Sequence, residues 1–133
     1  MHTEVSEVFE DILDSYNRLK LICSTSINDQ KKEIILTRFA YILDNIIKLS
    51  KVLLKKHNLE CRYPKECLYA AEKFGLINNA NVFIEMLDDR YIISQVNDRK
   101  FPDKLFEKIK VKYIITIGIF IDKVEKEYIK RQQ

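Results

Sequence analysis

The sequence contains very few of the residues that make turns. Gly75 and Gly118 are its two glycines, and Pro64 and Pro102 are its two prolines. An all-β domain needs a turn about every 8–12 residues, and glycine and proline make many of those turns. The scarcity argues strongly against an all-β fold. It also excludes the glycine-rich loops that hold nucleotide phosphates, because those loops need several glycines within a few residues.

Cysteines and long apolar runs are also scarce. The chain has three irregularly spaced cysteines, Cys23, Cys61 and Cys67, and its first residues, MHTEVSEVFED, show no basic stretch followed by an apolar one. These features predict no secretory signal, reduced thiols and a cytoplasmic location. The longest apolar run, Tyr113 to Ile121, covers nine residues if Thr116 and Gly118 are counted in, whereas a membrane span needs about 20. We therefore expect no membrane contact.

The size and charge of the chain are those of an ordinary globular domain. It has 133 residues, 47% of them hydrophobic, so a single domain over 1–133 is predicted. Lys plus Arg is 23 and Asp plus Glu is 20, which gives a net charge of +3. Such a weak bias does not identify a nucleic-acid partner.

Apolar residues recur at helical spacing in the first half of the chain, and each set forms one stripe of a helix. The first stripe is Val5, Phe9, Ile12, Tyr16, Leu19 and Cys23. The second, on a longer helix, is Ile35, Phe39, Ile42, Leu43, Ile46, Leu49 and Leu53. Because the second helix carries two adjoining apolar faces, we expect it to pack on more than one neighbour.

Local signals delimit two shorter helices. Pro64 suits a first helical position and Gly75 a helix end, which predicts a third helix over 64–74. Asn78 or Asn79 is expected to cap a fourth helix that ends before Pro102.

The last segment, from Pro102 to about Arg131, is rich in β-branched residues but has the spacing of a helix. Its stripe is Leu105, Ile109, Tyr113, Ile117, Phe120, Val124 and Tyr128, flanked by Ile114, Ile115 and Ile119. We interpret it as a fifth helix with a wide apolar surface. That surface is explained either by the core of the chain or by a second copy of it. The prediction is thus an all-α antiparallel bundle of about five helices, expected to dimerise.

The fourth helix carries an apolar stripe of Val82, Phe83, Met86, Leu87 and Ile93. Arg90 is the most informative charged residue, because helical spacing places it at the edge of this stripe. One interpretation is a structural ion pair with Asp88, Asp89 or Asp44. The other is a contact with a phosphate or another anion, for which the planar guanidinium is well suited.

Several short motifs occur in a characteristic order: Arg38-Phe39, Tyr63-Pro-Lys-Glu66, Ala70-Ala-Glu-Lys-Phe-Gly-Leu-Ile77 and Phe83-Ile-Glu-Met-Leu-Asp-Asp-Arg90. Over about residues 36–98 the chain resembles the nucleotidyltransferase substrate-binding family of HEPN domains. The resemblance implies a small helical bundle that dimerises and is usually encoded beside a minimal nucleotidyltransferase. Such a pair often acts as a toxin–antitoxin module.

Many members of that family are metal-independent ribonucleases that use an arginine and a histidine separated by four to six intervening residues. The histidine can move a proton near neutral pH while the arginine stabilises charge on the phosphorus. Arg90 matches the arginine, but Gln95 stands where the histidine belongs, and glutamine is not a general acid or base. Four further positions depart from the family's residues: Tyr91 for an asparagine, Asn97 for a tyrosine that partner enzymes modify with AMP, Asp44 for a glutamate and Ile47 for a tryptophan. The motif is therefore degenerate.

Three other features carry weaker signals. His57, Cys61 and Cys67 lie close together, but three soft ligands without a second pair make a poor zinc site, so no metal and no cofactor are expected. Two groups of basic residues form patches that are either solvated surfaces or contacts with RNA or an acidic partner. The patches are Lys48, Lys51, Lys55 and Lys56, and Lys123, Lys126, Lys130 and Arg131.

Three functions remain open. The favoured one is a binding subunit of a minimal nucleotidyltransferase, with Arg90, Tyr91, Asp44 and Asn97 as candidate binding residues. The second is a ribonuclease toxin, in which Arg90 acts with Ser94, Tyr91 or Gln95 in place of the histidine. The third is a purely structural dimerisation domain.

Overall fold

A computed structural model describes residues 4–95 and 100–129 as a bundle of helices. The first four are α1 (Glu4–Cys23), α2 (Asp29–Lys56), α3 (Pro64–Phe74) and α4 (Ala80–Gln95). The last, α5, has three consecutive segments: an α-helical one (Asp103–Glu107), a π-helical one (Lys108–Tyr113) and a second α-helical one (Ile114–Tyr128). No strand occurs in the part of the chain that the structure describes. The predicted all-α class is confirmed.

The ends of the helices follow local chemistry, with one difference from the expectation. Pro64 opens α3, and Gly75 ends it with a φ of 93°, as predicted. A side chain outside α4 satisfies a backbone donor at the start of that helix: the Ala80 backbone N–H donates to the Glu72 carboxylate at 2.9 Å. Asn78, one of the two expected caps, instead accepts a hydrogen bond from Lys123 Nζ at 3.0 Å.

The core is organised around α2, which contacts α1, α3 and α4. Every residue of its predicted stripe is buried, and so are all those of the α1 stripe except Tyr16, which is partly buried. Phe39 on α2 stacks on Tyr113 of α5, with ring centroids 5.3 Å apart. The prediction that α2 packs on several neighbours is confirmed.

The π-helical segment of α5 has a visible cause in the sequence. The buried residues Leu105, Ile109, Tyr113 and Ile117 are spaced by three steps of four. In a regular α-helix each step of four turns the stripe by about 40° beyond a full rotation, so three steps would carry it away from the core. A π turn holds more residues than an α turn and removes part of this drift. The segment thus keeps the four side chains on one face.

The outer flank of α5 lies outside the core of the chain. The side chains of Val111, Ile115 and Ile119 are 56%, 60% and 55% exposed, whereas Ile114 is partly buried. The core therefore explains the main stripe but not this flank. We refer to Val111, Ile115 and Ile119 as the α5 patch.

The state of the cysteines differs from the expectation of reduced thiols. Cys61 and Cys67 form a disulfide that joins the α2–α3 connection to the first turn of α3, and Cys23 is free and buried. The expectation followed from the odd number and uneven spacing of the cysteines, which do not reveal that α3 brings these two together. Among the described helices, none has the length and apolar character that crossing a bilayer requires.

Candidate functional site

The predicted arginine lies where α4 crosses α2 and is paired with an aspartate of α2. Arg90 Nη2 donates to Asp44 Oδ2 at 3.1 Å, and Arg90 Nε donates to Asp44 Oδ1 at 3.4 Å. This is the two-pronged geometry in which a guanidinium binds a carboxylate. Of the three aspartates considered as partners, the structure selects Asp44.

The pair remains accessible to solvent. The Arg90 side chain is 31% exposed and the Asp44 side chain is 53% exposed. Both line a surface pocket of about 490 Å³, together with Leu87, Asp88, Tyr91 and Ser94. An ion pair in such a position contributes little to folding, because water competes with it. A phosphate could replace the Asp44 carboxylate on Arg90 at small cost.

The other candidate site residues differ in which groups they expose to a ligand. Tyr91 is 66% exposed, so its ring is free to contact a ligand. The Ser94 hydroxyl donates to the Tyr91 backbone oxygen at 2.7 Å, which is the usual contact of a helical serine. Gln95 is exposed and is the last residue of α4. Asn97 lies outside the residues that the structure describes. The pocket thus brings together Arg90, Asp44, Tyr91 and Ser94, with Gln95 at the end of the same helix.

Asp89, the residue before Arg90, belongs to a polar network between α4 and α5 that the sequence did not predict. Asp89 and Tyr113 are buried in it, whereas Lys108, Glu85 and Lys112 are partly exposed. Asp89 is only 8% exposed. It accepts a hydrogen bond from the Tyr113 hydroxyl and forms an ion pair with Lys108 Nζ at 2.8 Å. Lys108 also reaches Glu85 at 3.3 Å, and Lys112 reaches Glu85 at 2.6 Å. We call these five residues the α4–α5 network. It fixes the rotation of α4 against α5, and therefore the direction of Arg90.

Ionisation in this network follows from burial and pairing. Burial, and then the bond to Asp89, raise the pKa of Tyr113 far above its ordinary value. The hydrogen bond from Lys112 lowers the pKa of Glu85 despite partial burial. Burial lowers the pKa of Lys108, but its bonds to Asp89 and Glu85 more than compensate, so the pKa is raised overall. The tyrosine thus stays neutral and the other two stay charged over the physiological range.

The bundle matches a known protein family over almost its whole length. The model of the family described as nucleotidyltransferase substrate binding protein like matches residues 6–126. The chain belongs to this family. The match runs from α1 into the last turns of α5 and therefore extends well beyond the motifs of residues 36–98. No curated protein matches the chain significantly. The family's description implies a nucleotidyltransferase as the partner of its members.

Within this family's fold, a pattern in the sequence could have revealed the α4–α5 network. Glu85 and Asp89 are four residues apart on α4, and Lys108 and Lys112 are four residues apart on α5. Residues at this spacing share a helix face. Once α4 and α5 are known to be neighbours, the two acidic side chains on α4 and the two basic side chains on α5 therefore predict ion pairs between the helices.

The structure also shows the surroundings of the candidate metal ligands and of the two basic patches. The sulfurs of Cys61 and Cys67 are bonded to each other, and the His57 ring packs on Phe74 at 4.7 Å between centroids. These three side chains therefore do not present a set of free ligands for a metal. The basic residues at the end of α2 are exposed, and Lys51, Lys55 and Lys56 surround a pocket with Glu4. At the other patch, Lys130 and Arg131 lie outside the described residues.

Proposed function

We propose that this chain is the HEPN-type substrate-binding and regulatory subunit of a separately encoded minimal nucleotidyltransferase, within a toxin–antitoxin-like module. The family match over residues 6–126 carries the proposal. A subunit of this kind needs a surface that holds a substrate or a partner, and it does not need a proton-transferring group. The Arg90 pocket supplies such a surface.

The chemistry of the pocket supports binding over catalysis. Cleavage of RNA through its 2′-hydroxyl needs a group that moves a proton near neutral pH. Gln95 is an amide and cannot do this. The sequence has two histidines: His2, outside the described residues, and His57, which caps the end of α2 against Phe74. Arg90, already held by Asp44, remains able to bind an anion.

The first test is association with a minimal nucleotidyltransferase, which the proposal expects to be encoded beside this chain. We expect the two proteins to co-purify as a stable complex and to elute together in size-exclusion chromatography. Arg90→Ala and Tyr91→Ala should weaken the complex or its action on substrate, whereas Arg62→Ala, at an exposed arginine away from the pocket, should not. Failure of the two proteins to associate at any ionic strength would contradict the proposal.

The second test addresses the alternative, a ribonuclease that uses Arg90 with Ser94, Tyr91 or Gln95. Purified protein is incubated with a mixed RNA substrate in EDTA, beside the Arg90→Ala and Gln95→His variants. We expect no cleavage by the wild type and a gain of cleavage with Gln95→His. Cleavage by the wild type that disappears with Arg90→Ala would establish the ribonuclease instead.

Dimerisation is a further part of the proposal, and the α5 patch supports it. Three adjacent apolar side chains that are more than half exposed form the kind of surface that a second copy can cover. In sedimentation velocity we expect a dimer, and Ile115→Lys should shift it towards the monomer. A monomeric wild type at high concentration would contradict this assignment.

A further inference from the structure

A second groove lies between α1 and α2, away from the Arg90 pocket. It has a volume of about 570 Å³, which is within the range of about 300–1,000 Å³ found for small-molecule sites. Its lining consists of one α1 residue and five α2 residues: Ser15, Glu33, Ile34, Thr37, Arg38 and Tyr41. On α2, Arg38 and Asp44 are six residues apart, which places them about 120° apart around the helix axis. The groove and the Arg90 pocket share no lining residue, although Tyr41 of the groove lies one turn of α2 before Asp44.

Arg38 differs from the other partly buried arginine of the described chain. Arg90 is held by Asp44, but Arg38 has no ion pair or hydrogen bond with any described residue. Its nitrogens are not sealed from water, since no buried side-chain nitrogen or oxygen in the described regions lacks a partner. The groove has one carboxylate, Glu33, and Arg38 is not bonded to it, so the half-buried guanidinium is available to an anionic ligand.

Ser15 is the second unusual polar group in this groove. It is only 4% exposed, yet its hydroxyl makes no hydrogen bond with the described residues, unlike Ser50, whose hydroxyl donates to the Ile46 carbonyl at 2.9 Å. Because no buried side-chain oxygen in the described regions lacks a partner, this unpaired hydroxyl is open to the groove rather than sealed in the core. It is therefore available to a polar group of a ligand bound there.

The remaining lining indicates what kind of anion fits. Tyr41 lies one helical turn from Arg38 and is 46% exposed, so its ring offers a face on which a planar group can stack. Thr37 adds an exposed hydroxyl beside Arg38. Glu33 lies about 7.5 Å along the helix from Arg38, on the side away from Tyr41. It makes a contact of its own and is not paired with Arg38. A ligand that extends from Arg38 towards Tyr41 avoids this carboxylate.

We propose that the α1–α2 groove binds a mononucleotide, with Arg38 on the phosphate, the Ser15 and Thr37 hydroxyls beside it, and the base stacked on Tyr41. The geometry matches the two parts of such a ligand, a charged group for the guanidinium and a flat apolar face for the ring. This inference goes beyond the proposed subunit function and does not depend on it, because none of the groove residues belongs to the Arg90 pocket.

The test is binding to the isolated full chain, measured by calorimetry and by ¹⁵N amide shifts. The probes are AMP and UMP, with adenosine and inorganic phosphate as their separate halves. We expect saturable binding of at least one nucleotide, with shifts at Ser15, Thr37 and Tyr41, and binding of each half weaker by about tenfold or more. Adenosine that binds as tightly as AMP would overturn the role of Arg38, and phosphate that binds as tightly as either nucleotide would overturn the role of Tyr41.

Matched variants locate the site. Arg38→Gln should weaken nucleotide binding by about tenfold or more, Tyr41→Leu by a similar factor, and Ser15→Ala by a few-fold. Arg62→Gln, the same change at an exposed arginine outside the groove, should have no effect. No saturable binding at millimolar nucleotide, or equal effects of Arg38→Gln and Arg62→Gln, would refute the proposal. Neither result would bear on the complex with the nucleotidyltransferase, which is tested through Arg90.

Discussion

Two adjacent residues of α4, Asp89 and Arg90, take part in ion pairs of very different character. Asp89 is buried and is bonded to both Tyr113 and Lys108, whereas Arg90 and Asp44 face solvent at the rim of a pocket. Water cannot replace the partners of Asp89, but it can replace Asp44 on Arg90. The first contact therefore holds the helix in place, and the second leaves a charged group available for binding.

Among the substitutions that distinguish the two regions, Asp89→Ala should have the largest effect on the free energy of unfolding. The substitution removes the buried carboxylate that the Tyr113 hydroxyl and Lys108 share, and it leaves them with the more exposed Glu85. We expect a loss of about 3 kcal/mol in the free energy of unfolding, measured in urea. Asp88→Ala, at the exposed neighbouring aspartate, should change it by less than about 0.5 kcal/mol. Equal effects of the two changes would show that the network does not stabilise the fold.

Tyr113→Phe should have a smaller effect with a distinct pH dependence. The ring keeps its stacking on Phe39, and the hydroxyl's bond to Asp89 and its weaker interaction with Glu85 are lost, so we expect a cost of about 1–1.5 kcal/mol near neutral pH. Because folding raises the pKa of Tyr113 above its ordinary value of 10.0, the phenol favours the folded state fully below pH 10, and this contribution is lost as the pH rises further.

The measurement for Tyr113→Phe is urea unfolding from neutral to strongly alkaline pH. Wild-type stability should fall above pH 10 more steeply than that of the variant. Lys108, which also has a raised pKa, contributes a loss of the same sign to both proteins. Parallel pH profiles for the two proteins would contradict the assigned state of Tyr113.

Glu85→Gln tests how the α4–α5 network contributes to stability at low pH. The bond to Lys112 lowers the pKa of Glu85 in the folded protein, so its contribution is present above its ordinary value of 4.5 and is lost as the pH falls through the folded value. The side chain is 34% exposed, so we expect less than about 1 kcal/mol. Acid unfolding of the variant should begin with a flatter slope than in the wild type, while exposed Glu127→Gln should leave the slope unchanged.

The smallest effect is expected at the exposed pair. A double-mutant cycle of Arg90→Ala and Asp44→Ala should give a coupling energy below about 1 kcal/mol in urea unfolding. The same Arg90→Ala variant should nevertheless impair the proposed interaction with the nucleotidyltransferase. A coupling as large as the Asp89→Ala effect would remove the distinction between the two regions.

Local sequence signals predicted much of this structure. Pro64 and Gly75 gave the bounds of α3, because each constrains the backbone by its own chemistry. The position of Arg90 followed from helical spacing, and Asp44 was one of its three candidate partners. The use of Asp89 was not predicted, since its partners lie about 20 residues further along the chain and meet it only after α5 folds onto α4. The disulfide was missed for a different reason: Cys61 and Cys67 are only six residues apart, but the odd number and uneven spacing of the cysteines did not indicate which two would pair.

The π-helical segment of α5 has a consequence for how related chains should be compared. Lys108–Tyr113 winds more slowly than the helix on either side. A relative with an uninterrupted α-helix would reach the same packing of both ends with one residue fewer. Alignments that follow structure should therefore open a one-residue gap between Glu107 and Ile114, and an alignment made without that gap would assign the wrong counterparts to Lys108, Lys112 and Tyr113.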